Sequence, residues 1–180
     1  MPTHLESAFL KSKIMKNLTF IACMIAGVMM SCSKQESQLP EGAVGYIVAK
    51  SENIDLSIKS MTALTNLDSA TYRSTYSEDA VFYDNLDSMG LNQNIAVIGA
   101  MKAKDVTMKL DKILDIHEEV LVKPSYYGVS HFVYAYAVFT LTRGDVQKKV
   151  VIHTVDGIKD GKQVVEWLRY DTKDINEIMK

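Results

Sequence analysis

The sequence predicts an α+β fold, with N-terminal helices packed in a strongly curved antiparallel sheet. Three observations carry the prediction. Apolar residues recur at helical spacing between residues 51 and 111. Runs rich in aromatic and β-branched residues fill 116–170. Turn signals, not helices, join those runs, and helices followed by hairpin-linked strands make an α+β order.

The first helix follows from Ile54, Ile58, Met61, Leu64 and Leu67, with Ser51 or Asn53 as N-cap. Asp68-Ser69 can cap a second, short helix over Ala70–Tyr76. Ala80-Val81-Phe82-Tyr83 reads as a strand stopped by Asp84-Asn85. Ile95, Ile98, Met101 and Met108 predict a third helix from about Asn94 to Asp111, weakened at its end by Val106-Thr107. Strands follow over 116–123, 131–142, 148–155 and 163–170. Pro124, Arg143-Gly144-Asp145 and the 156–161 stretch separate them.

The N-terminus has its own logic. Lys11, Lys13 and Lys16 precede an apolar run of 13 residues, Leu18 to Met30. That is the length of a secretory signal core, short of the roughly 20 residues that span a bilayer. Residues 1–31 therefore read as a signal peptide, with Met15-Lys16-Asn17 its natural start. Met29-Met30-Ser31-Cys32 resembles a bacterial lipobox, which makes Cys32 a lipidation site and the membrane a partner through that lipid. Cleavage by an ordinary signal peptidase beside an incidental cysteine is the alternative. Residues 32–50, with Pro40, Gly42 and Gly45, read as a tether, and 51–180 as the folded domain.

The 180-residue chain has a formal net charge of −2. Removing residues 1–31 takes away three lysines and one glutamate, which moves the charge to −4. No basic excess points to nucleic acid. Of the two cysteines, Cys23 leaves with the signal and Cys32 becomes the first residue. Disulfides, zinc–thiolate sites and cysteine nucleophiles are thereby excluded from the domain. No metal-ligand spacing, phosphate loop or serine-nucleophile elbow is present, so neither metal nor cofactor is expected.

With "YSEDAVFYDN" at 76–85 and "DGKQVVEWLRYDT" at 160–172 on this element order, the chain resembles the nuclear transport factor 2-like superfamily. Within it, the chain looks most like the SnoaL-like group, which includes polyketide cyclases. The resemblance spans roughly 51–180. It implies a cone-shaped α+β barrel with a pocket at the open end, used for isomerisation, dehydration, cyclisation or ligand binding alone. It also implies homodimers through the convex sheet face.

The same resemblance places Tyr83, Asp84 and Asn85 toward the pocket. Asp84 would be the base of an isomerase or cyclase; alternatively, Asp84-Asn85 closes a turn. On 131–142, Phe132, Tyr134, Tyr136 and Val138 share one face, and Val133, Ala135, Ala137 and Phe139 the other. Tyr134 and Tyr136 line a pocket or sit at a wet sheet edge. His153 is a proton shuttle or a structural histidine. Trp167, Arg169 and Asp171 share a face opposite Glu166, Leu168 and Tyr170. Arg169 and Asp171 form a pair at the pocket floor or at the surface. A single sequence leaves open which face is concave, because a one-residue slip inverts it. The expected protein is an envelope lipoprotein, at the outer rather than the inner membrane, that binds a small, largely apolar ligand. An isomerase, cyclase or dehydratase and a dimerising interaction module are the alternatives.

Overall fold

The computed structural model describes residues 39–180 apart from Tyr126. The signal peptide and Cys32 lie outside the described residues. Among the described residues are seven strands: β1 (Gly45–Val48), β2 (Tyr76–Asp84), β3 (Asp87–Gly90), β4 (Thr107–Leu121), β5 (His131–Arg143), β6 (Val146–Lys159) and β7 (Lys162–Arg169). Four helices accompany them: α1 (Glu52–Thr65), α2 (Ser69–Thr75), α3 (Leu91–Ala103) and α4 (Thr172–Ile178).

The strands form one open sheet in the order β1-β4-β5-β6-β7-β2-β3. Five of its six pairings are antiparallel, and β2–β7 is parallel. The α+β prediction holds, with that parallel pair as a refinement. β2 can lie parallel to β7 because α3 and three long strands separate them in sequence, which leaves room for the crossover.

Three elements extend the sequence reading. β1 lies inside the stretch read as a tether, so the folded part reaches back to at least Gly45, paired with Leu121 of β4. β3 returns along β2 after a turn in which Asn85 takes φ 53°. α4 follows β7, capped by the Asp171 carboxylate, which accepts from the Lys173 amide at 2.9 Å. Asp171 is thus a helix cap.

One boundary is corrected. The third helix ends at Ala103, not Asp111, and Met108 stands on β4. Lys104 caps it, Asp105 turns to φ 53°, and the Val106 amide donates back to the Met101 carbonyl at 2.9 Å. The apolar spacing ran on across this stop because a half-buried strand begins at once with Thr107, where a β-branched residue fits.

On β5 the sheet's two faces separate cleanly. Val133, Ala135, Ala137, Phe139 and Leu141 are buried, while Tyr136 is 45% exposed. The alanines pack against a helix of the same chain: Met61 of α1 shares a buried cluster with Ala135, Ala137 and Phe139. Ile54, one end of the same helix, packs on Val133 and Ile158. Ile178 of α4 joins Leu141 and Val150 in the first cluster. Phe82 of β2 is enclosed with Tyr72, Tyr76, Leu91 and Ile98, which brings in α2 and α3. The helices therefore cover one face of the sheet, here called concave.

Phe132 is the exception to the alternation. It points to the other face yet is only 7% exposed, with the Trp167 ring 6.3 Å away between centroids. A Cβ on Gly157 would come within 2.5 Å of Val165 Cγ1 and 3.3 Å of Phe132 Cε1. Only glycine lets these chains approach so closely.

Candidate functional site

The sheet register lines up one row of side chains across five strands. Glu118 of β4 stands opposite Val133 of β5, which stands opposite Asp156 of β6, then Glu166 of β7, then Phe82 of β2. Directly opposed residues share a face, and Val133 and Phe82 put this row on the concave side. Three carboxylates thus lie in one row beneath the helices. Their exposures are 2% for Glu118, 2% for Asp156 and 5% for Glu166.

Each is treated differently by its surroundings. Glu118 accepts from Asn53 Nδ2 at 2.7 Å and meets His131 Nδ1 at 2.6 Å. Burial pushes its carboxyl up, but hydrogen bonds from Ser51, Asn53 and His131 outweigh that and hold it below the usual range. Glu166 accepts from the Tyr76 hydroxyl at 2.6 Å, and Tyr76 in turn contacts the Tyr72 hydroxyl at 3.1 Å. Desolvation, reinforced by the Asp156 charge, pushes Glu166 up to about 8. Desolvation likewise pushes Asp156 up to about 7, against the opposing pull of Ser57. Among the described residues no lysine or arginine is buried to balance them. An acid pair enclosed without a cation holds a proton.

Several polar atoms here are unmet. Thr154 Oγ1 and both amide atoms of Gln163 are buried without a hydrogen-bond partner, whereas the Ser57 hydroxyl lies near enough to Asp156 to pull its carboxyl down. Gln163 reaches this face through a bulge. Gly157 pairs with Val165 and Ile158 with Gln163, so Val164 is the extra residue and the alternation resets. Gln163 is also the register partner of Tyr76.

A cleft of about 740 Å³ opens between α2, the start of β2 and the β6–β7 turn, lined among others by Arg73, Tyr76, Asp79, Lys159 and Lys162. Tyr76 belongs to both places: it lines this cleft and bonds Glu166.

The residues singled out from sequence fall in two groups. Asp84 is on the concave side, opposite Leu168. It accepts from the Tyr170 hydroxyl at 2.9 Å and contacts Asn85 Nδ2 at 3.4 Å, while Asn85 Oδ1 accepts from the Tyr170 amide. Burial and Asp84 together raise the Tyr170 phenol well above its ordinary value. Asp84 and Asn85 therefore close the β2 turn, and Asp84 also lends its charge to Glu166.

Tyr83, Tyr134, Tyr136, His153, Trp167 and Arg169 face the opposite, convex side. There Tyr83 stacks on Trp167 with centroids 5.7 Å apart, and Tyr136 on His153 at 4.1 Å. Tyr134 stacks on His117 and donates to Glu119 at 2.9 Å. Burial, then Glu119, pushes its phenol up to about 12. Desolvation, then Arg169, lowers the His153 imidazole. Arg169 donates to the Tyr83 carbonyl at 3.3 Å. The structure brings these residues together as a convex aromatic band, apart from the acid pair.

Asp156, Glu166, Gln163 and Tyr76 were not singled out from sequence. Two of them carry a readable signal. In Val155-Asp156-Gly157 and Val165-Glu166-Trp167 a lone carboxylate sits between non-polar neighbours in a strand. Both of its neighbours claim apolar surroundings, so the acid has no wet face to itself.

No family model matches the sequence, and no curated protein matches it. Solved structures do match. A LEH-like epoxide hydrolase of M. tuberculosis is 18% identical with a TM-score of 0.54, over 71% of this chain and 89% of that one. A protein of unknown function with a cystatin-like fold from Xanthomonas campestris is 20% identical at 0.54, over 70% and 96%. An NTF2-like protein from Burkholderia xenovorans is 11% identical at 0.51, over 72% and 96%. The chain has the nuclear transport factor 2-like fold. A fold alone does not fix an activity, so function has to come from the site.

Proposed function

We propose that the concave end binds a small, largely apolar molecule through a polar group held beside Asp156 and Glu166. One observation carries this reading: Tyr76 lines the cleft of about 740 Å³ and its hydroxyl donates to Glu166, one of an acid pair that no buried lysine or arginine among the described residues balances. A cleft that ends on a few polar groups orients a ligand by the ligand's own polar group. Cyclohexanone, an apolar ring with one acceptor oxygen, tests it by titration into isotope-labelled protein. Shifts at the amides of Asp156, Gln163 and Glu166 are expected; shifts confined to the convex face, or none, would overturn the reading.

A second reading is proton transfer of the isomerase, cyclase or dehydratase kind. The raised acids beside the Tyr76 hydroxyl favour it, since a carboxyl that titrates near neutrality can both give and take a proton. The same titration in D₂O separates the two. Exchange of the ring's α-protons, lost in Glu166→Gln, supports catalysis; binding without exchange supports a carrier.

The domain's place in the cell is part of the proposal: an envelope lipoprotein held at the outer membrane by acyl chains on Cys32. Each buried methylene of such chains contributes about 0.8 kcal/mol. Cells fed labelled palmitate should label the protein, and Cys32→Ala should abolish the label. Label that persists in the variant sinks the lipoprotein claim.

A further inference from the structure

We infer that the β1 edge of the sheet is a second membrane contact, which lays this side of the domain on the bilayer that holds Cys32. This rests on the Cys32 anchor proposed above and adds an orientation to it. Exposed apolar side chains concentrate at this edge. Among the described residues twelve large hydrophobic side chains are exposed, and Leu39, Val44, Tyr46, Ile47 and Val122 are five of them. Val44 is 74% exposed, Ile47 67% and Val122 55%. Single exposed apolar residues are ordinary, whereas a cluster of them marks a contact surface.

The strand register makes the cluster a patch. The Val122 amide donates to the Val44 carbonyl at 2.9 Å, and Tyr46 stands opposite Val120. Opposed residues share a face, as do alternate residues of one strand, so Val44, Tyr46, Val120 and Val122 line one side. Ile47 stands on the other side, opposite Glu119. A groove of about 320 Å³ lies beside them, lined by Ala43, Val44, Leu121, Val122 and Lys123. β1 is the outermost strand, with β4 its one neighbour among the described strands. An open apolar edge of this kind invites pairing with another chain unless something covers it.

The covalent chain favours a bilayer as the cover. Leu39 leads into β1 through a turn closed by the Ala43 amide on the Pro40 carbonyl at 3.0 Å. Six residues separate Leu39 from Cys32, so the acylated residue lies at most about 25 Å from Leu39, even along an extended chain. A domain of this length is about 40 Å across, from its expected radius of gyration. The tether is shorter than the domain is wide, so the side that carries Leu39 and β1 is the side held at the lipid. Anchoring also makes the contact intramolecular, with an effective concentration on the order of mM. A patch too small to bind membrane from solution is then populated. The contact is interfacial, because the edge amides and carbonyls of β1 need water or headgroups as partners. Tyr46 suits that depth, with an apolar ring and a polar hydroxyl.

The test uses the acylated protein purified from cells and inserted from detergent into preformed vesicles of phosphatidylethanolamine with one quarter phosphatidylglycerol. With Cys23 removed and Cys32 acylated, a single introduced cysteine is the one free thiol. Val44→Cys, Val122→Cys and Leu86→Cys each carry the fluorophore NBD. Leu86 is fully exposed in the β2–β3 turn, at the opposite edge of the sheet. Melting temperatures show that each variant folds. NBD at positions 44 and 122 is expected to shift to the blue and to be bleached by dithionite several-fold more slowly than NBD at position 86. Tyr46→Asp, added to the Val122→Cys chain, should restore fast bleaching. If labelled palmitate shows acylation and the three positions bleach alike, the docking inference fails and the anchor reading stands. If the chain takes no acyl group, the anchor reading fails and this inference falls with it. Slow bleaching that vanishes when each vesicle holds a single chain means that a second copy covers the edge, and it overturns the bilayer contact.

Discussion

Raising the pH from 6 to 9 is expected to destabilise this protein by a few kcal/mol, and Glu166→Gln should remove much of the effect. In the unfolded chain Asp and Glu ionise near 4. In the folded chain desolvation delays Asp156 to about 7 and Glu166 to about 8. Between those limits the folded state binds more protons than the unfolded state, so stability falls as pH rises. The contribution is full below the unfolded values and is lost by the time pH has passed the folded ones. Each pKa unit is worth about 1.4 kcal/mol per carboxyl, a large share of a typical total of about 5–15 kcal/mol. The other shifted groups act elsewhere. Glu118 is held low and loses its contribution as pH falls through the acid range. His153 is lowered and destabilises only below its ordinary value. Thermal unfolding followed by Trp167, the only tryptophan, reads the effect. A melting temperature that is flat or rising from pH 6 to 9 would show that the acid pair does not hold its protons.

Much of this fold was legible, for reasons that residues make plain. The run from His131 to Arg143 alternates so strictly that its face assignment needed no structure: Val133, Ala135, Ala137 and Phe139 are buried together. What the alternation could not say was which face the helices cover. That depends on contacts with Met61 and Ile54, far away in sequence. The aromatic face drew attention as a pocket because tyrosine and tryptophan combine bulk with a polar handle. Those same properties suit a convex band, where Tyr136 and His153 stack.

The concave site was harder to read for a different reason. Gln163 reaches it only because Val164 is an extra residue in β7, and a bulge leaves no mark in a single sequence. Asp156 and Glu166 are 10 positions apart in sequence, yet the β6–β7 register sets them side by side. A strand register between two apolar runs is fixed by turn geometry as much as by pattern. Asp84 was the visible acid because it ends a strand. The acids inside the strands were masked by the apolar residues around them.

Phe82→Ala is expected to be the most damaging single truncation near the site. Phe82 is 0% exposed, stands opposite Glu166 in the register and packs on Tyr76 with ring centroids 4.8 Å apart. Deleting a buried phenylalanine ring typically costs about 3–5 kcal/mol, from lost transfer energy and the cavity left behind. The loss should appear as a lower urea midpoint with an unchanged slope. A second consequence distinguishes this site from ordinary core. The ring is part of the apolar wall that keeps Glu166 from water, so its removal admits solvent and lets the carboxyl ionise more easily. Phe82→Ala should therefore have a shallower pH dependence between pH 6 and 9 than the wild type, as well as lower stability throughout. Combining it with Glu166→Gln should give less than the sum of the two effects on that pH slope, because both act on one titration. Tyr136→Ala, on the exposed convex face, should leave the slope unchanged. A Phe82→Ala variant that melts like the wild type, or keeps its full pH slope, would mean that Glu166 is not enclosed by this wall.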